Sequence, residues 1–115
     1  MGKFSKKYQS LKSKKEISEI FSVGEKEKSG SVLMLYKSSE NGTKVAFSVK
    51  KKDFKLAVDR NRIKRLMKEA FRLNQGELRK EQTLFFIHLG NKQHPFSYYN
   101  EKIKELLTRL NQDEL

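Results

Sequence analysis

The spacing of hydrophobic positions switches repeatedly between helical and extended periods along this chain. Ser13-Lys14-Lys15-Glu16 places a hydroxyl three residues before a Glu, a capping box in which the two side chains satisfy the first free amides of a helix. Ile17, Ile20 and Phe21 follow at i, i+3 and i+4, and Gly24 offers a left-handed stop. The spacing predicts a short helix over 13–23 with a narrow apolar stripe. Over 31–37 and 43–50 the alternation has period two, and Ser38-Ser39-Glu40-Asn41-Gly42 between them contains the Asn-Gly turn signal, which predicts a hairpin. Placing Leu33 and Leu35 in the core with Val45, Phe47 and Val49 would leave Met34, Tyr36, Ala46, Ser48 and Lys50 together on the opposite face.

The helical period returns over 58–73, where Ile63, Leu66, Met67, Ala70 and Phe71 fall on one arc and Asn61, Lys64, Arg65, Lys68 and Arg72 on the other. Thr83 to Leu89 is a mostly apolar run that reads as a strand covered on both faces. After a loop from Gly90 to Pro95, Ser97 is expected to cap a last helix with Ile103, Leu106, Leu107 and Leu110 as its core stripe. The predicted fold class is α+β. A single domain holds a small mixed β-sheet of about four strands, one of them short and near 25–30, packed with three helices in the order helix, strands, helix, strand, helix. Residues 1–12 are Lys-rich without periodicity and are expected to be a basic flexible arm; 13–115 would form the domain.

Charge narrows the function. The chain has 115 residues with 26 Lys+Arg against 14 Asp+Glu, a formal charge of +12. The excess is concentrated: 1–15 carry +6 and 44–80 carry +9, while 16–43 and 81–115 carry −2 and −1. Charge placed in this way points to a polyanionic partner. The absence of Cys excludes disulfides, thiolate zinc sites and a Cys nucleophile, and fits a reducing compartment. No apolar run approaches the roughly 18 residues of a membrane span, and no apolar segment follows the N-terminal lysines as in a secretory signal. The expectation is a cytoplasmic protein without a membrane partner.

Three features converge on RNA. Arg60, Arg62, Lys64, Arg65, Lys68 and Arg72 lie in thirteen residues opposed within that span only by Glu69. Guanidinium groups fork onto phosphate oxygens, and Asn61 between two of them can read a base edge or a 2′-hydroxyl. Lys50, Lys51 and Lys52 end a strand just before that helix. Phe21 and Tyr36 are aromatics among these cations, the interleaving that stacks unpaired bases.

The segment Ala57-Val58-Asp59-Arg60-Asn61-Arg62-Ile63-Lys64-Arg65-Leu66-Met67-Lys68-Glu69-Ala70-Phe71-Arg72 resembles the signature of the bacterial ribonuclease P protein component. Leu11 to Gly24, Phe47 to Lys52 and Pro95 to Leu110 are similar to the family's first helix, the strand before its basic helix, and its last helix. The resemblance implies a protein subunit of the ribonucleoprotein that removes the 5′ leader from precursor tRNA. Its partners would be the ribonuclease P RNA, which is the catalytic subunit, and precursor tRNA, with no protein partner required. It implies catalytic-RNA contacts at Arg60, Asn61, Arg62, Lys64, Arg65 and Lys68, to which the charge pattern adds Arg72, Lys51 and Lys52. Leader contacts would fall on Phe21, Tyr36, Ser48 and Lys50, with Lys12 joining after ordering. It also implies a left-handed crossover through the basic helix, and Mg²⁺ held mainly by RNA in the holoenzyme.

No residue set suggests protein-based catalysis. His88 and His94 are read as structural, Asp53 and Asp59 do not make a two-metal carboxylate cluster, and no Gly-rich phosphate loop or hydrolytic triad occurs. No catalytic residue is therefore assigned, and the place of any protein-bound metal is left open. A ribosomal or general RNA-chaperone protein without a cleavage role is the alternative; a stand-alone nuclease is disfavoured.

Overall fold

In the computed structural model, which describes residues 8–112, the chain runs β1 (Gln9–Ser10), α1 (Lys14–Val23), β2 (Glu25–Ser29), β3 (Val32–Ser38), β4 (Lys44–Val49), α2 (Ala57–Asn74), a 3-10 turn (Gln75–Glu77), β5 (Gln82–His88) and α3 (Phe96–Gln112). The strands form one mixed sheet in the order β1-β4-β5-β3-β2. β5 is its central strand, antiparallel to β3 and parallel to β4. Parallel neighbours need a crossover, and α2 supplies it.

β5 is apolar on both sides because both sides are covered. Leu84 and Phe86 join the main core with Ile63, Met67, Ala70 and Phe71 of α2 and Ile103, Leu106, Leu107 and Leu110 of α3. On the other side Ile87 meets Leu35 and Ile20 of α1, flanked by Leu33, Phe85 and Leu89. The apolar arcs anticipated for the two long helices are those that face the sheet. α1 starts as expected, with the Ser13 hydroxyl accepting from the Glu16 amide at 3.3 Å.

Five local expectations change. β3 and β4 do not form a hairpin; β5 lies between them, and the real hairpin is β2–β3, turning at Gly30 with φ 55°. The register aligns Tyr36 with Leu84 and Val45, and Met34 with Phe86 and Phe47. Tyr36 and Met34 therefore share the face of Val45 and Phe47, while Leu33 and Leu35 share the face of Ser48 and Ala46. This reverses the expected phase. β3 is apolar at nearly every position, so its own alternation carries no phase and its partner sets it.

The sheet also gains a fifth strand from within the expected arm. Gln9 and Leu11 donate backbone bonds of 2.9 Å each to Thr43 and Val45, and Tyr8 and Leu11 are buried, the Tyr8 ring standing edge-on to Phe71 at 4.8 Å. The apolar pair draws the chain onto the core; residues 1–7 of the arm lie outside the described residues. Gly24 is extended, not left-handed, at φ −69°. It is needed for closeness, since a Cβ there would lie 2.4 Å from the Ile20 carbonyl oxygen. Ser97 sits inside the first turn of α3, which begins at Phe96.

His88 is fully buried, with Phe54 and Tyr99 each 5.6 Å away between ring centroids. His94 stacks on Tyr98 at 3.7 Å and donates its backbone N–H to the Tyr99 hydroxyl at 3.3 Å. The two imidazoles, distant in sequence pattern, come within 6.0 Å, each in a packing role. Burial pushes the His88 pKa below the ordinary histidine value, and His94 shifts the same way through burial and Lys92. The unfolded chain thus binds protons that the folded one refuses. The stabilising effect of neutral His88 is complete above about pH 6.5 and declines as pH falls below it. Thermal melts at pH 7 and pH 5 are expected to show a lower Tm at pH 5, with a smaller drop in His88→Phe.

Candidate RNA-binding surface

α2 has no side-chain cap, because its N-cap position is Leu56. Arg60 supplies the anchor instead, donating through its guanidinium to the Phe54 carbonyl at 2.6 Å and the Lys55 carbonyl at 3.0 Å. The loop it grips is itself wound: the Asp53 and Phe54 amides return to the Lys50 carbonyl at 3.2 and 3.3 Å, and the Phe54 ring is buried beside His88. Lys50, Lys51 and Lys52 are exposed in this connection, just after the end of β4 and ahead of α2. Arg62 points toward the α3 side and donates to Gln93 Oε1 at 2.9 Å.

The remaining polar positions of α2 form its crest. Asn61, Arg65 and Lys68 are exposed and Lys64 is half-buried on the flank facing β1. None of the three cations makes an ion pair among the described residues, whereas Arg72 is paired with Glu69. The sequence grouped six cations on this helix. The structure separates them into a free group at Lys64, Arg65 and Lys68, two arginines tied to neutral partners, and one neutralised by a carboxylate.

The second candidate region lies on the opposite face of the sheet. Phe21 is 50% exposed and stands edge-on to Phe85 with centroids 5.0 Å apart. Ser48 lies on the same face as Phe85, by the pairing of Ala46 with Phe85 and Ser48 with Ile87. Lys50 follows at the strand end, and Lys12 is exposed between β1 and α1. α1 is pinned over this face by Glu16 to Lys44 of β4 at 3.1 Å and Glu19 to Lys37 of β3 at 3.0 Å. The Lys37 hydrogen bond lowers the Glu19 pKa.

Tyr36 does not belong to this region. It packs on the main core from the α2/α3 face, for the reason of register given above. Phe85, which carries Phe21, was hidden in a run read as wholly buried. In the structure it is the one partly exposed position of β5, which a run of consecutive apolar residues does not reveal.

Among the described residues no group of three or more His, Cys, Asp or Glu could hold a metal ion, and no helix is long and apolar enough to cross a membrane. The family profile described as Ribonuclease P matches residues 4–111. The chain belongs to the ribonuclease P protein family. In that family it is a protein component of an endoribonuclease that processes the 5′ end of tRNA.

The ribonuclease P protein component of Nitrosococcus oceani is 35% identical over 83 residues, covering 71% of this chain and 70% of that protein. That of Chlorobaculum tepidum is 43% identical over 72 residues, covering 56% of this chain and 47% of that protein, about half its length. Among solved structures, the ribonuclease P protein of Thermotoga maritima has a TM-score of 0.77 at 24% identity, covering 88% of this chain and 96% of that one. The Staphylococcus aureus ribonuclease P protein has a TM-score of 0.76 at 17% identity, covering 92% and 96%. These two likenesses concern the fold.

The hydrogen bonds sort two arginines of the motif by role. Arg60→Ala should lower unfolding stability by about 1–3 kcal/mol, because the part-buried Phe54 carbonyl and the exposed Lys55 carbonyl both lose a charged donor. Arg65→Ala, on the exposed crest, should stay within about 0.5 kcal/mol of the parent. Chemical denaturation of the two variants in parallel checks the contrast.

Proposed function

We propose that this ribonuclease P protein binds the catalytic RNA through the crest of α2 and holds the 5′ leader of precursor tRNA on the sheet face beside α1. The observation that carries the first half is the set Lys64, Arg65 and Lys68, displayed from a rigid helix without carboxylate partners among the described residues. Asn61 beside them offers a donor and an acceptor to a base edge or 2′-hydroxyl, and Lys51 and Lys52 extend the field. Arg60 and Arg62 shape the N-terminal end of this surface; Arg62, whose partner is a neutral exposed amide, can exchange it for a phosphate.

For the leader, the support is the grouping of Phe21, Ser48 and Lys50 on one side of the sheet, with Lys12 near the entry to α1. A half-exposed ring seated on Phe85 gives an unpaired base a stacking surface, and the lysines meet its phosphates. Tyr36 has no part in this reading.

Mg²⁺ prefers oxygen ligands and keeps much of its water. The resemblance implies an ion held mainly by the RNA, and no step is routed through the protein. The chain's part is to reduce repulsion between two polyanions and fix the leader.

Reconstitution tests this reading. The chain, a ribonuclease P RNA and precursor tRNA at low Mg²⁺ are expected to cleave at the mature 5′ end where neither macromolecule does alone. If about six phosphates are neutralised, binding should fall with salt at a log–log slope near −4. A combined Lys64→Ala, Arg65→Ala, Lys68→Ala variant should lose at least tenfold in RNA affinity with an unchanged melt; parental affinity in that variant removes the crest from the interface. Phe21→Ala should slow cleavage of substrates with leaders of several nucleotides more than of those with a single leader nucleotide. An equal loss on both would make Phe21 a packing residue.

A further inference from the structure

We propose that the groove between β1 and the crest of α2 takes one unpaired nucleotide of the bound RNA, with its base inward and its phosphate on the cationic rim. This deepens the reading of the chain as an RNA-binding subunit and rests on it. Three separate features meet at this place. The groove has a volume of about 430 Å³, and Leu11, Val45 and Phe47 give it a mostly apolar floor. Lys64, Arg65 and Lys68 line its outer side and have no ion-pair partner among the described residues. Finally, among the described residues β1 pairs with β4 at Lys44 and Val45 alone, so the outer edge of β4 from Ala46 to Val49 has no strand partner there.

The occupant follows from chemistry. Cations alone would bind any phosphate, and an apolar floor alone would bind any flat hydrocarbon. A nucleotide combines an anionic phosphate with a base whose faces are apolar and whose rim carries donors and acceptors. An unpaired strand edge presents alternating N–H and C=O groups in the plane where a base rim would lie. Duplex RNA cannot use the floor, because its bases are stacked and paired; a bulged or loop nucleotide can be splayed into it. The space suits one nucleotide rather than a helix.

Ser10 stands at the wall of the groove on the exposed face of β1, which makes it the place to block the floor without removing a cation. Ser10→Tyr, an aromatic in a strand, should leave the melting temperature unchanged and fill the space. The expected result is at least a tenfold loss of affinity for ribonuclease P RNA at constant salt with the salt slope unchanged. Lys68→Ala, by contrast, should make the slope shallower by about 0.7–0.9 for the phosphate contact it removes.

Dimethyl sulfate probing of the RNA in complex with the parent chain provides the second readout and does not depend on any variant. An unpaired adenine or cytosine should become protected on its Watson–Crick edge when the protein binds. Parental affinity in a folded Ser10→Tyr variant, or a complex in which no unpaired base gains protection, overturns the pocket while leaving the RNA-binding reading intact. Failure of the parent chain to bind the RNA at all overturns both.

Discussion

The burial of β5 on both faces is the constraint from which the arrangement of this molecule follows. Leu84 and Phe86 look into the α2/α3 core and Phe85 and Ile87 toward α1, so no edge position would satisfy the strand. Each fully buried large apolar side chain of this kind contributes about 1.5–3 kcal/mol relative to exposure. A central β5 must separate β3 from β4, and its parallel pairing with β4 requires a crossover, which is α2. The cationic helix is thus committed to one face and α1 to the other. The two proposed RNA surfaces are not one continuous patch; they meet at β4, whose end carries Lys50, Lys51 and Lys52 and whose open edge borders the groove.

The helices were legible in the sequence because each has one apolar and one polar side, so the period of 3.6 carries both type and orientation. β5 was legible as a doubly covered strand for the complementary reason. What the pattern could not convey was register. β3 reads Val-Leu-Met-Leu-Tyr, apolar whichever way it faces, and only its pairing with β5 fixes Tyr36 toward α3. The Asn41-Gly42 signal was genuine, since Gly42 has φ 89° and Ser39 bonds to its carbonyl at 2.7 Å. A turn reverses the chain but does not oblige its flanks to pair, and a strand from forty residues later enters between them. β1 escaped notice because its anchors, Tyr8 and Leu11, are two apolar residues in a run of lysines and polar groups.

The candidate site shows the same division between residue type and residue role. A dense cationic segment with an interposed Asn was visible, and so was its resemblance to a known signature. Arg60 could not be recognised as the substitute for a missing helix cap, because that role depends on where the Phe54 and Lys55 carbonyls fall in three dimensions. Nor could Arg72 be distinguished from Lys68, although the first is answered by Glu69 and the second is not. Equal charges in one motif thus divide into those that build the surface and those that present it.

A helix so rich in like charge remains folded because its other side is buried. Lys64 and Lys68 stand at i, i+4 and Arg65 and Lys68 at i, i+3, spacings at which like charges each cost about 0.2–0.5 kcal/mol. The same helix buries Ile63, Met67, Ala70 and Phe71 completely, and the burial of the three large side chains outweighs that repulsion several-fold. Stability and charge therefore reside on opposite sides of one rigid element. The repulsion among the crest cations persists in the free protein and is relieved when an anion settles between them, so it favours the bound state without weakening the core. The backbone that carries the crest is already ordered, so an anion settling there would cost the freedom of the long Lys and Arg side chains but not that of the helix, and salt would compete for the charge and not for the fold.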